Sequence, residues 1–218
     1  MLQERPDALD FFDAASRHLP QLALKRGLDI LGSVIGLALF SPILLITAVA
    51  IKLSTPGQVL FNQARVGLNG KVFICYKFRS MVVGAEEMKA SLAHLNEMEG
   101  PVFKIRNDPR MTRIGRFIRK TSIDELPQLF NVLLGQMSLV GPRPPLPSEV
   151  CSYKNSHRIR LSVKPGLTCI WQVSGRNNVD FDQWMEMDRE YVQNWSFWLD
   201  IKILLSTIPV VLLRKGAC

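Results

Sequence analysis

From Ile30 to Ile51 the chain runs for twenty-two residues without a charge, interrupted at its centre by Ser41-Pro42. As one straight helix that run would extend roughly 33 Å, the thickness of a bilayer core. It lies too far from the start, and lacks the small-residue cleavage pattern, to be a removable leader. Pro42 deprives Ala38 of a helix hydrogen bond and presses its ring against that carbonyl, so a sharp bend is expected there. If the chain turns back at the bend, each half of roughly 16 Å reaches the bilayer midplane and returns. The flanks carry Lys25 and Arg26 before the run and Lys52 and Arg65 after it. Basic residues on both sides favour one membrane face for both ends, and the Ser41 hydroxyl can serve the backbone that Pro42 leaves unpaired. These residues alone leave a spanning helix and a re-entrant one equally open.

Downstream, Trp184, Tyr191, Trp195, Phe197 and Trp198 crowd the approach to a shorter apolar stretch, Ile203 to Leu213. The stretch is too short to cross a membrane, and aromatic residues of this kind favour the headgroup level. This pattern predicts helices lying in the interface. An aromatic core seam is the alternative.

The positive charge is concentrated. The chain has a formal charge of +8, and Lys104 to Lys120 carries seven basic residues against Asp108 alone. Such density suits nucleic acid, anionic headgroups or a phosphorylated small substrate, and charge does not choose among them. Position does, because the basic stretch ends four residues before the carboxylate pair Asp124-Glu125. Lys77-Phe78-Arg79-Ser80 and Gly141-Pro142-Arg143-Pro144 supply two further segments fit for phosphate, the second with one guanidinium held between prolines.

Local patterns predict one domain of helices with a small hairpin. Residues 59–65 and 71–79 read as strands around Gly67-Leu68-Asn69-Gly70. Glu86 to Glu97 reads as a helix ended by Gly100-Pro101, and Arg113 to Lys120 as another with Ile114, Phe117 and Ile118 opposite its cations. Pro127 places a further helix start near Asp124, with Gly135 as its stop. The acid pair would then sit at the positive end of a helix dipole, or serve as a cap, with Ser122 and Glu125 as a capping box. Cys75, Cys151, Cys169 and Cys218 show no metal spacing and read as reduced thiols facing the cytosol. His18, His94 and His157 are scattered. Neither a Walker loop nor a dinucleotide fingerprint is present.

Taken in order, Lys25-Arg26 with Ser41-Pro42, Tyr76 to Met81, Thr121 to Leu129, Ser138 to Pro144, Lys164 to Thr168 and Gln172 to Arg176 resemble the bacterial sugar transferases. These are monotopic polyprenyl-phosphate phosphoglycosyl transferases, and the likeness is to their hexose-1-phosphate branch. The resemblance implies an α+β fold with a re-entrant membrane helix broken at Ser41-Pro42 and interfacial amphipathic helices. It divides the chain into an arm over 1–24, the membrane helix over 25–54 and a catalytic domain over 55–218. The implied reaction moves a sugar 1-phosphate from a UDP-sugar to polyprenyl phosphate and releases UMP, starting a surface polysaccharide. Asp124 would be the nucleophile and a Mg²⁺ ligand, and Glu125 its partner. Lys77, Arg79, Arg119, Arg143 and Arg176 would bind substrate, at the cytoplasmic face of the inner membrane among its lipids. A homo-oligomer stays open, and nucleic acid is not expected as a partner. Cys169 departs from the family pattern where glycine is expected, which would strain the backbone if φ is positive there. The competing class is a membrane-anchored protein that binds anionic ligands or nucleic acid without catalysis, for which the acid pair has no task.

Overall fold

The computed structural model describes residues 19–98, 100–105, 107–174 and 179–212. Residues 1–18, most of the expected arm, and Arg106, Arg176 and Cys218 lie outside them. Helix α1 spans Leu19–Ser54 and so takes in the last residues assigned to the arm. Pro20 fits there because a first-turn residue has no intrahelical partner for its amide.

Helical backbone is kept on both sides of Ser41-Pro42, with Pro42 inside α1. The reason lies in one substituted hydrogen bond. Ser41 Oγ donates to Ala38 O at 2.8 Å, the carbonyl that Pro42 cannot serve. Asp29, Ser33, Thr47 and Ile51 form the buried stripe of α1 at helical spacing, while Leu31, Ile35, Leu39, Leu45, Ile46 and Leu53 are each more than half exposed.

The stripe is fastened on both sides of Pro42 to the same body. Before it, Lys25 Nζ meets Asp200 at 2.5 Å and Val140 O at 2.9 Å. Asp29 Oδ1 accepts from Leu139 N at 2.8 Å and Ser138 Oγ at 2.9 Å. After it, Leu44, Ala48 and Ile51 pack with Phe78 and Ile118.

Strands β1 (Leu60–Val66) and β2 (Val72–Phe78) form the expected antiparallel hairpin, with Leu60 opposite Phe78 and Val66 opposite Val72. Asn69 and Gly70 turn it with φ of 54° and 77°. Helix α2 (Arg113–Lys120) has the expected bounds, capped by Thr112, whose hydroxyl accepts from Gly115 N at 2.8 Å. Ile114 and Ile118 face the core, whereas Phe117 is exposed beside Arg113, Arg116 and Lys120.

α3 (Gln128–Leu133) packs across α1, and Arg26 donates to its last carbonyls, Val132 O at 2.7 Å and Leu133 O at 2.9 Å. Gly135, at φ 79°, ends it as expected. β3 (Ser138–Val140) then pairs in parallel with β4 (Gly166–Thr168), separated by α4 (Pro147–Cys151) and a 3-10 stretch Asn155–Ser162. α5 (Ile170–Ser174), α6 (Phe181–Gln193) and α7 (Phe197–Leu212) complete the described chain.

Two expectations fail for a shared reason, which is where apolar side chains find cover. Residues 86–97 form only the 3-10 turns Glu87–Lys89 and Ala93–Leu95, where Met88 and Leu95 stay exposed and supply little burial to hold a longer helix. Conversely, Trp184 and Tyr191 are core residues, in two clusters with Phe181 and Met185 and with Val140 and Ile203. Trp195 is half-buried, so of the three tryptophans expected at headgroup level only Trp198 is exposed, at 76 %.

Candidate active site

Asp124 and Glu125 lie in a 3-10 turn, Ile123–Glu125, ahead of α3 and not inside its first turn. The expected helix start near Asp124 is thus displaced to Gln128, with Pro127 in the cap position. The expected capping box is not formed, since Ser122 makes no side-chain cap bond. Ser122 instead takes left-handed backbone, φ 57° and ψ 15°, a conformation costing a non-glycine residue about 1 kcal/mol. That turn swings the pair off the end of α2 and against the hairpin.

There the two acids differ. Asp124 is buried, and among the described residues it forms no ion pair. The Glu125 side chain is 30 % exposed and bonded by Lys77 Nζ at 2.7 Å. Burial, then the charge of Glu125, raises the Asp124 carboxyl to about 6, against a smaller opposing pull from Lys77 and Arg119. Burial also acts to raise Glu125, but Lys77, by charge and hydrogen bond, with Arg143 and Arg119, outweighs it and holds Glu125 below the usual carboxylate range. As pH falls, Asp124 is therefore the first of the pair to take up a proton.

The pair opens on a cavity of about 770 Å³, the larger of the two main cavities among the described residues. Lys77, Arg79, Arg119 and Arg143 all line it, so four of the segments singled out by sequence converge. Arg119 Nε donates to Ser80 Oγ at 3.1 Å. Arg79 is differently placed. Its guanidinium donates to Pro56 O, and to Thr55 O and Oγ1 at 2.9 Å each, holding the turn that follows α1. Arg143 stands over the Trp184 ring at 6.0 Å from its centroid.

Sequence reading missed Glu149 and Trp171, which also line the cavity, quoted Gln172 in a motif without a role, and gave Arg65 no role beyond a flanking charge. Arg65 was legible as an inward strand position, two residues from the inward Gln63. For Glu149 and Trp171 no local signal exists. Cys169 is buried, its thiol pushed up by burial, and φ is not positive, so the anticipated strain is absent. Cys75, Cys151 and Cys169 are free thiols.

Among the described residues no three His, Cys, Asp or Glu side chains gather as a metal nest. What the cavity offers is two adjacent carboxylates, hard oxygen donors of the kind Mg²⁺ takes when phosphate oxygens complete its shell.

Comparison with known proteins agrees with this geometry. The family model for bacterial sugar transferase matches residues 20–214. The chain is 52 % identical over 197 residues to the galactosyl transferase CpsE of Streptococcus agalactiae, covering 90 % of this chain and 44 % of that protein. It is 49 % identical over 199 residues to an undecaprenyl-phosphate galactose phosphotransferase of Salmonella typhimurium, covering 89 % and 41 %. A UDP-glucose:undecaprenyl-phosphate glucose-1-phosphate transferase of Klebsiella pneumoniae is 41 % identical over 204 residues, covering 90 % and 42 %. The chain thus spans less than half the length of these relatives. With nearly all of its own length matched, the chain belongs to the bacterial sugar transferase family.

Proposed function

We propose that this chain transfers a hexose 1-phosphate from a UDP-sugar to polyprenyl phosphate and releases UMP, as an early step in building a surface polysaccharide. The observation that carries this is the juxtaposition of a buried, unpaired Asp124 with Lys77, Arg119 and Arg143 around one cavity. In this reading an Asp124 carboxylate oxygen attacks the phosphorus that bears the sugar. The bond from that phosphorus to the UMP oxygen breaks, and UMP leaves with the electron pair. A lipid phosphate oxygen then attacks the same phosphorus, the bond to Asp124 breaks, and the carboxylate is restored.

Anion must approach anion in both steps, and the three cations offset that repulsion where charge develops. Mg²⁺ held by Asp124, with Glu125 beside it, would further neutralise the diphosphate. The names of the relatives favour galactose or glucose as the sugar.

Two features support a membrane-face site. α1 packs on the catalytic body both before and after Pro42, which favours a segment that enters and leaves the same leaflet over one that crosses it. Exposed large apolar residues, Phe117, Phe130, Leu134, Trp198 and Leu205, stand on or at the end of α2, α3 and α7, helices that touch α1. Arg113, Arg116 and Lys120 flank Phe117, as befits an anionic inner leaflet on the cytoplasmic side.

The test is to incubate detergent-solubilised protein with Mg²⁺, polyprenyl phosphate and a panel of UDP-sugars, scoring the nucleotide released. UMP from a UDP-hexose is expected. UDP would mark an ordinary glycosyltransferase, and no nucleotide from folded protein would favour the anionic-ligand binding class.

The carboxyl asymmetry adds a pH signature. Transfer requires ionised Asp124, so the rate should fall as pH drops through about 6. In Lys77→Met the cation that lowers both carboxyls is gone, and the acid limb should move to higher pH in addition to a loss of rate. An unmoved limb would show that the limb does not report this pair.

A further inference from the structure

The segment Gly141-Pro142-Arg143-Pro144-Pro145 carries Arg143 into the cavity, yet three of its five residues have no amide hydrogen to donate. Of its own amides, Gly141 N donates to Thr168 O at 3.0 Å, ahead of the prolines. Its carbonyls are taken one after another by donors from elsewhere in the chain: Gly166 N to Pro142 O at 2.9 Å and Val66 N to Pro145 O at 2.9 Å. Between them come two buried guanidiniums, Arg160 Nη2 to Arg143 O at 2.8 Å and Arg65 Nη1 to Pro144 O at 2.8 Å.

Arg65 also lines the cavity, but Arg160 does not. Arg160 is 3 % exposed, and two of its partners lie off the cavity lining: Nη1 donates to Tyr153 Oη at 2.6 Å, and Nη2 lies 2.8 Å from Asp188 Oδ2. Its guanidinium stands over the Trp184 ring, 5.1 Å from the centroid, the same ring that Arg143 approaches. A buried ion pair of this kind rarely exceeds apolar residues of equal volume in stabilising a fold. Stability alone leaves the Arg160–Asp188 pair unexplained, whereas the bond to Arg143 O gives it a task.

We propose that Arg160, oriented by Asp188 and Tyr153, is a positioning residue that sets Arg143 for the phosphates of the nucleotide substrate. Arg160 reaches Arg143 through the backbone carbonyl below it and through the indole that both guanidiniums share. This rests on the reading above that Arg143 meets the diphosphate. A lysine at position 160 keeps the charge but has no planar fork with which to hold Arg143 O, Tyr153 and Asp188 together. Displacing Arg143 by even a fraction of an ångström should weaken its grip on phosphate.

The test is a double-mutant cycle read by binding of UDP to the full chain, by calorimetry in detergent. Arg160→Lys is expected to weaken UDP binding about tenfold when Arg143 is present, and less than about twofold in the Arg143→Ala background. Tyr153→Phe, which removes one hydroxyl, should show the same non-additivity at smaller size and covers the case in which Arg160→Lys fails to fold. Equal losses in both backgrounds would overturn the positioning role and leave the transferase reading standing. Absence of UDP binding by the unsubstituted chain would instead overturn the transferase reading.

Discussion

Asp124→Asn should abolish UMP release and at the same time raise the thermal midpoint of the protein. The first half follows from chemistry, since an amide cannot supply the carboxylate oxygen that forms the bond to phosphorus. The second follows from linkage. The carboxyl of Asp124 is held near 6 in the folded chain against 3.8 for the free group, so folding disfavours its ionised form. That penalty is absent below the unfolded value, grows as pH rises between the two, and is complete above the folded one. At neutral pH the native chain carries it in full, and the neutral isostere relieves about 3 kcal/mol. Thermal melts of both proteins in one detergent at pH 7.5 and again at roughly pH 4 check the sign, because the gain should shrink at the lower pH. Transfer retained in the variant would end the covalent route, and a lowered midpoint would contradict the burial cost. Stability set aside at a reactive group is the usual trade between a poised site and a relaxed one.

A large structural effect should come from Gly166→Ala. A Cβ at Gly166 would lie 2.1 Å from Gly141 N and 2.5 Å from Gly141 O, and one at Gly141 would lie 2.4 Å from Lys164 O. These are backbone atoms, with no flexible side chain to give way. To admit one methyl, β3 and β4 must part, which forfeits the bonds from Gly166 N to Pro142 O and from Gly141 N to Thr168 O. The expected loss exceeds about 4 kcal/mol, among the severest for a single methyl. Gly27→Ala on α1 is the matched control, since nothing lies within 4 Å of the added carbon and alanine is the better helix former by about 1 kcal/mol. Parallel thermal unfolding should show one variant collapsing and the other slightly strengthened. A mild Gly166→Ala would mean the strands tolerate separation.

The elements legible in sequence were those whose signal is local. The β1–β2 hairpin announced itself by two strand-like runs around Gly67 to Gly70, and α2 by the apolar positions Ile114 and Ile118 opposite its cations. The acid pair stood out because a dense basic stretch precedes it, and Lys77, Arg119 and Arg143 do converge on it. What sequence could not show depends on the partner across space. Trp184 and Tyr191 looked like headgroup residues until neighbours buried them, and residues 86–97 read as a helix although Met88 and Leu95 stay exposed. Ser122 gave no warning of left-handed backbone. Arg160 sits in a run with Arg158 and carries no mark of its task, because that task is a hydrogen bond to a residue seventeen positions away.

The fastening of α1 on both sides of Pro42 also bears on which membranes would suit this chain. A helix that crosses a bilayer is matched to its thickness and must tilt or thin the lipid when the two differ. On the re-entrant reading proposed above, a segment bound at both ends to one rigid body, and reaching no farther than the midplane, has no contact with the opposite leaflet to mismatch. Its cavity would keep a constant height above the near headgroups whatever lies beneath. Lengthening or shortening the acyl chains of a host bilayer should therefore leave transfer unchanged, while a rate that tracks acyl length would point to a crossing helix.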